Sequence, residues 1–356
     1  MRIFVDIGHP AHVHYFKNLI RIMEKNGHTF FIVSRDKEVT FKLLDSTGHD
    51  YKSRGTGGNG YLSKFFYLMK AEKIIYKYAK AFKPDVFLSF SSPYAAHVSK
   101  LLGKPHITID DTEHARLDHI LYSPFTDTIL NPASYFADMG KKQIRFNGFM
   151  ELCYLHPKYF LPDPEILKEL GTTLDETYIF LRFISWSATH DIGQRGMNVA
   201  FQLDLVDKLH KNFKVFISSE GPLPEPLLPY KVTISPEKIH HVLAFSSLFI
   251  GEGATMASEC AMLGIPAIYV NSLTAGTLEE QEQYGLIFGF RNTLGVIEKA
   301  IELLNRPKLA QEFQEKRKQM LKDKIDVTAF LIWFLENYPQ SIRIMKENPT
   351  YQEKFK

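Results

Sequence analysis

The stretch Leu248-Phe-Ile-Gly-Glu-Gly-Ala-Thr-Met-Ala-Ser-Glu-Cys-Ala-Met-Leu-Gly-Ile-Pro-Ala-Ile-Tyr-Val270 decides how this 356-residue chain is read. Its pattern predicts a buried strand, a glycine turn at 251–254, a helix entered near Thr255, and a second buried strand beyond Gly264 and Pro266. Strands that are apolar along their whole length belong to parallel sheets covered on both faces. The turn also carries chemistry. The first N–H groups of a helix have no intrahelical acceptor, and the helix dipole adds partial positive charge, so this turn suits a phosphate. Glu259 falls about one turn into the helix, where a carboxylate can accept from both hydroxyls of a ribose.

The same alternation continues on either side. Before it come a strand at Tyr178–Phe183, a helix at Met197–Leu209, a strand at Phe213–Ser218 and a helix at Lys238–Phe245. The first half repeats the architecture without repeating residues: strands at Ile3–Ile7, Thr29–Val33, Val86–Phe90 and His106–Ile109, with helices at Tyr15–Lys25, around Val39–Leu44, at Leu62–Phe82 and at Tyr94–Leu102. Around Arg145–Pro164 the pattern breaks, with Asn147-Gly148 and prolines 157, 162 and 164. These signals predict an α/β protein of two Rossmann-like doubly wound domains facing a cleft. The divisions are an acceptor-side domain at 1–148, a linker at 149–175, a nucleotide-binding domain at 176–324, and C-terminal helices at 325–356 that pack back on the first domain.

Composition narrows the function. With 45% hydrophobic and 23% charged residues the chain has the balance of a soluble globular protein, and a net charge of +3 gives no reason to expect nucleic acid as a partner. Cys153 and Cys260 support neither a disulfide framework nor a metal motif, which favours a reducing compartment. The start of the chain has no signal-peptide pattern, and no apolar run reaches the ~20 residues of a membrane span. A cytoplasmic protein is expected, with a contact at the inner face of the membrane through 61–83. That segment interleaves Lys64, Lys70, Lys73, Lys77, Lys80 and Lys83 with Phe65, Phe66, Tyr67, Tyr76, Tyr78 and Phe82, a pattern that suits an anionic lipid surface or simply a solvated helix face.

The quoted stretch resembles the nucleotide-binding motif of glycosyltransferase-B enzymes. It is most similar to the lipid-II-forming N-acetylglucosaminyltransferase group, with Gly253-Ala254, three intervening residues, Ser258-Glu259 and then Leu-Gly-Ile-Pro. The resemblance implies that Gly253, Ala254 and Thr255 hold a diphosphate, that Glu259 binds the ribose, and that Ser235 and Glu237 in the loop 233–237 touch the base. At the other end, Gly8-His-Pro-Ala-His-Val-His14 lies where the first strand meets the first helix, the edge at which open α/β sheets bind ligands. Gly8 and His9 are candidates there for the nucleotide-sugar. His12-Val13 matches the His-Val pair of these relatives, which makes His12 the leading candidate base, although Pro10-Ala11 replace their paired glycines. The run Asp6–Phe16 also looks like the start of the family known as domain of unknown function 354.

Ile109-Asp-Asp-Thr-Glu-His114 is similar to the region where non-hydrolysing UDP-N-acetylglucosamine 2-epimerases carry acid/base carboxylates, so Asp110, Asp111 and Glu113 join the catalytic candidates. By the same likeness His190 contacts the diphosphate; Ser185 nearby is placed to donate to a phosphate oxygen or is simply a loop serine, and Glu280 and Gln281 stand where relatives hold sugar hydroxyls, or form a solvated helix start. Asp110-Asp111 lacks the D-x-D spacing of metal-dependent transferases, so no metal or other cofactor is expected. Gly55-Thr-Gly-Gly-Asn-Gly60 fits a dinucleotide fingerprint in letters only, since it follows a third strand and lacks the acidic partner ~20 residues on; a surface loop or a lid are its readings. The function expected is transfer of a sugar from a nucleoside diphosphate, UDP first, to a hydroxyl of a glycan or lipid-linked acceptor in cell-surface polysaccharide or glycolipid synthesis. An epimerase or hydrolase of the nucleotide-sugar, and a non-catalytic nucleotide-sugar-binding protein, are the alternatives.

Overall fold

The computed structural model describes residues 1–58, 60–184 and 196–356. The chain divides into two compact units: Met1–Tyr154 with Lys324–Lys356, and Leu155–Asp323.

Unit 1 is built on a seven-stranded sheet of β1 (Arg2–Ile7), β2 (Thr29–Asp36), β3 (Tyr51–Thr56), β4 (Val86–Phe90), β5 (His106–Ile109), β6 (Thr128–Pro132) and β7 (Gln143–Phe146). All pairs are parallel and the order is β3-β2-β1-β4-β5-β6-β7. The connecting helices are α1 (Pro10–Lys25), α2 (Thr40–Thr47), α3 (Tyr61–Phe82), α4 (Pro93–Leu101) and α5 (Arg116–Tyr122). Central β4 is buried at every position, its one polar residue, Ser89, lying 2.9 Å from His106 Nε2 on β5. α1 begins at Pro10 rather than Tyr15. Proline is pre-set for the first helical position and loses nothing there by lacking an N–H, and the His9 side chain caps the turn by accepting from Ala11 N at 3.2 Å. β6 and β7 were not expected; they are short, β6 ends in Asn131-Pro132, and β7 runs straight into Asn147-Gly148, residues that read as turns.

Residues 149–154, placed in the linker by their sequence, are core. Phe149, Met150, Leu152 and Cys153 have no exposed surface, and α6 (Leu152–Leu155) carries the chain to the boundary. The buried apolar side chains outweigh the Asn-Gly and proline signals around them.

Unit 2 holds a five-stranded parallel sheet of β8 (Tyr178–Phe183), β9 (Lys214–Ser219), β10 (Leu248–Gly251), β11 (Ala267–Val270) and β12 (Ile287–Phe290), in the order β12-β11-β10-β8-β9. Its helices are α7 (Ile166–Glu169), α8 (Val199–Leu209), α9 (Ile239–Ala244), α10 (Ala254–Leu263), α11 (Gly276–Gln283), α12 (Val296–Leu304) and α13 (Leu309–Asp323). Ile179, Leu181, Leu205, Ile250, Ile268 and Val296 meet in its core.

The chain then returns to unit 1 as α14 (Val327–Glu336) and α15 (Gln340–Glu347). Phe330 lies 5.8 Å from Phe146 between ring centroids, and Thr328 Oγ1 donates to Cys153 O at 3.0 Å. Gly148 is required at this junction: a Cβ there would stand 2.4 Å from Val327 Cγ2. Among the described residues no helix is long and apolar enough to cross a membrane.

Candidate functional site

In each sheet the strand order reverses once, between β1 and β4 in unit 1 and between β8 and β10 in unit 2. At such a switch point neighbouring connections leave on opposite faces, and a crevice opens beyond the carboxyl ends of the strands.

In unit 2 the quoted motif fills that point. β10 ends at Gly251, where a Cβ would stand 2.5 Å from Phe249 Cζ and 3.0 Å from Arg182 Cβ, so only glycine lets the strand turn there. Gly253 is the N-cap of α10 and no side chain caps the helix, which leaves the first-turn N–H groups to solvent or a ligand. Ala254 is exposed and Thr255 half-buried. Glu252, which sequence reasoning passed over, is 1% exposed. One of its carboxylate oxygens accepts from Met197 N at 2.6 Å and the other from Ile184 N at 3.1 Å. Asn271 Nδ2 donates to Glu252 O at 3.0 Å, tying the end of β11 to the same turn. Ser185 and His190 lie outside the described residues.

Glu259 is 5% exposed, and its Oε1 is 2.9 Å from Nε2 of buried His240 on α9. Gln281 is fully buried; its Nε2 donates to Ser258 Oγ at 2.7 Å, while its Oε1 is buried with no donor. That amide joins α11 to α10, whereas Glu280 beside it is half-buried. Ser235 and Glu237 are exposed at the short turn Pro236–Lys238, which Lys238 ties to Glu169 at 2.5 Å. A cavity of about 350 Å³ lined by His210, Phe213 and Tyr230 lies at the opposite, amino-terminal end of β9.

In unit 1 the switch point carries Gly8, His9 and His12. His12 Nδ1 accepts from Gly8 N at 3.3 Å, and its ring is 4.6 Å from that of Phe90 at the end of β4. Burial, then the charges of Lys37 and Arg35, push His9 down to about 3. Burial, then His9, Lys37 and Arg54, hold His12 well below its ordinary value. Both rings are neutral, and with Nδ1 accepting, the proton of His12 resides on Nε2. In this arrangement His12 presents its Nε2–H as a donor. Beneath it runs an unforeseen network: Arg54 Nε donates to buried Asp6 Oδ1 at 2.7 Å, Arg54 Nη1 to Tyr67 OH at 2.5 Å, and Ser92 Oγ to Asp6 Oδ2. A lone aspartate in the apolar run of β1 was the available signal.

The three acidic candidates after β5 fall into different environments. Asp110 is fully buried. Its Oδ1 accepts from Thr112 N at 2.9 Å, and its Oδ2 takes Tyr122 OH at 2.5 Å and lies 2.9 Å from His119 Nε2. Such a saturated carboxylate organises the loop. The bond and charge of Asp110 raise His119 against the opposing effect of its burial. Asp111 is half-buried and is pushed up to about 7, first by desolvation and then by the charge of Asp110. Glu113 Oε1 accepts from Phe136 N at 3.3 Å.

Residues 1–326 match the family described as Protein of unknown function (DUF354). The chain belongs to that family. This DUF354 chain is 28% identical over 279 residues to uncharacterized protein MJ0665 of Methanocaldococcus jannaschii, covering 75% of this chain and 80% of that one. Its fold is similar to that of S. aureus MnaA solved with UDP (TM-score 0.70, 13% identity, 96% of this chain and 97% of that). It is also similar to UDP-GlcNAc 2-epimerase from Neisseria meningitidis bound to UDP-GlcNAc (0.68, 13%, 99% and 100%). A third likeness is to the Streptomyces sp. SF2575 glycosyltransferase SsfS6 complexed with thymidine diphosphate (0.61, 14%, 94% and 99%). The DUF354 chain therefore has the glycosyltransferase-B architecture, shared by glycosyltransferases and nucleotide-sugar epimerases.

Proposed function

We propose that the protein is a nucleotide-sugar-dependent glycosyltransferase, with the donor's diphosphate on the amino terminus of α10. The observation that carries this reading is the uncapped α10 at the β8/β10 switch point, entered through Gly251 and Gly253. That three solved proteins of this fold were obtained with UDP, UDP-GlcNAc or thymidine diphosphate supports a nucleoside diphosphate, and we take UDP as the first choice.

In transfer, the bond from the anomeric carbon to the diphosphate breaks and its electron pair leaves on the diphosphate, while the acceptor oxygen bonds that carbon and gives up a proton. Asp111 is the base we assign, because its raised pKa fits proton transfer near neutral pH. The α10 N–H groups are the donors that stabilise developing negative charge on the diphosphate in place of a metal. Glycan or lipid-linked hydroxyls in cell-surface polysaccharide or glycolipid synthesis are the acceptors we favour, reached at a membrane surface through α3.

UDP or a UDP-sugar should raise the melting temperature by mass action, and transfer should persist in chelator. A folded protein whose melting no nucleoside diphosphate shifts would remove the proposal. The near-neutral carboxyl of Asp111 also favours a second reading, epimerisation of the donor. Incubation with UDP-GlcNAc in deuterated water separates the two: deuterium appearing at C2 of the sugar establishes epimerisation, and its absence leaves transfer.

A further inference from the structure

Arg35 is a cation of unit 1 whose charge the fold does not balance. It lies near the end of β2, two residues before Lys37. Its guanidinium lies so close to Gly57 that a Cβ there would stand 1.8 Å from Nη2. Its Cζ is 5.7 Å from the centroid of the Tyr67 ring, and Arg54 stands at the same distance from that ring. The neighbouring cations are answered: Arg54 by Asp6 at 2.7 Å, and Lys37 by Glu38 at 3.2 Å. Arg35 has no carboxylate partner among the described residues, and its Nε is buried with no acceptor.

A guanidinium nitrogen removed from water is costly to leave unpaired. Nε–H and an adjacent Nη–H form a planar fork that matches two oxygens of one anion, and contact with an aromatic ring fixes the plane of that fork. The Gly8–His9 turn lies in the same field: the charges of Lys37 and Arg35 help keep His9 neutral, and Arg54 Nη2 is 3.5 Å from where a Cβ on Gly8 would be. The corner formed by the ends of β1, β2 and β3 is thus electropositive and floored by neutral imidazole.

We infer that this corner binds an anionic group, a carboxylate or a phosphoryl, and that Arg35 is the residue that ligates it. Taken with the reading of unit 1 as the acceptor side, on which this extension rests, the acceptor is an acidic molecule.

The test uses the full chain with sodium phosphate and with sodium glucuronate, each against sodium chloride at matched ionic strength, with and without saturating UDP. Phosphate or glucuronate should raise the melting temperature beyond chloride, and by the same amount when UDP is present; which salt acts tells phosphoryl from carboxylate. Arg35→Gln should weaken that anion by roughly ten- to a hundredfold, the loss expected for charge-assisted hydrogen bonds. Arg35→Lys, which keeps the charge without the fork, should fall between, and carries the test if Arg35→Gln does not fold. UDP affinity should not change in either variant. No effect beyond chloride, parent-like anion affinity in the variants, or loss of the anion effect in the presence of UDP would each overturn the inference. The last would place the anion at Gly253. Failure of UDP to bind the parent chain is a separate outcome, and it counts against the proposed function alone.

Discussion

Asp110 and Asp111 are chain neighbours with the same side chain and opposite employment. Asp110 is saturated by Thr112, Tyr122 and His119 and is sealed from solvent. Asp111 is half-buried, and burial followed by the charge next door lifts it to about 7. A base works only when deprotonated, so transfer or epimerisation should climb with pH up to about 7 and level off above it. Asp111→Asn should abolish that limb and most of the rate. A profile flat from pH 5.5 to 8, or an unaltered one in Asp111→Asn, would transfer the role elsewhere. Sequence could nominate this cluster but not rank its members, because all three acids stand in one short loop and only tertiary contacts decide which is satisfied. His12 makes the same point: its place at the end of β1 was legible, but its tautomer is set by a bond from Gly8 N that no spacing discloses. Glu252 stood in the open between two glycines of the deciding motif; its task concerns Ile184 and Met197, far away in sequence.

Elements were easier to read than sites, because a strand or helix is written in local periodicity. β4, β5, β8 and β11 run between the residues that the apolar runs indicate. The misses include the short strands β6, β7 and β12, the short helix α5 and the first turn of α1, where brief elements and caps leave little periodicity to read. α3 is the element whose surface asks for a partner. Phe66, Met69, Lys70, Lys73, Lys77 and Lys80 are all exposed, and their spacing places them along one stripe. Its acid, Glu72, lies off that stripe, 2.5 Å from His97 Nδ1. Two apolar side chains at one end of a basic stripe suit an anionic bilayer, each lysine adding roughly 1 kcal/mol near the surface at low salt. The protein should co-sediment with phosphatidylglycerol vesicles and not with phosphatidylcholine, and release as salt rises. Lys73→Glu with Lys77→Glu should remove most of that binding. Equal binding to both lipids, or none to either, would leave α3 an ordinary solvated helix.

At the scale of the molecule, buried neutral histidines set the response to acid. His9 and His106 are lowered to about 3, chiefly by burial, and His12 is lowered well below its ordinary value. Below pH 6.5 the unfolded chain takes up these protons and the folded chain does not, so stability is lost as pH falls from 6.5 toward 3. Each fully shielded histidine contributes at most roughly 1.4 kcal/mol per pH unit. Asp111, raised from 3.8 to about 7, acts in the opposite sense between those values and offsets about one histidine. The melting temperature should therefore drop between pH 6.5 and 4.5, with a shallower slope in His106→Asn. A flat curve over that range in scanning calorimetry would contradict it.

The division of the chain sets a timetable as well. Leu155–Asp323 is one uninterrupted piece, whereas the first unit is finished only by Lys324–Lys356, which bring Phe330 and Phe334 into its interior. A ribosome delivers residues in order, so the segment made first waits longest for its last parts. The unit begun second has all of its chain while the earlier one still presents an apolar surface meant for α14. For this protein the usual rule that the amino-terminal domain matures first during synthesis is inverted, and the vulnerable interval lasts until α14 has been made.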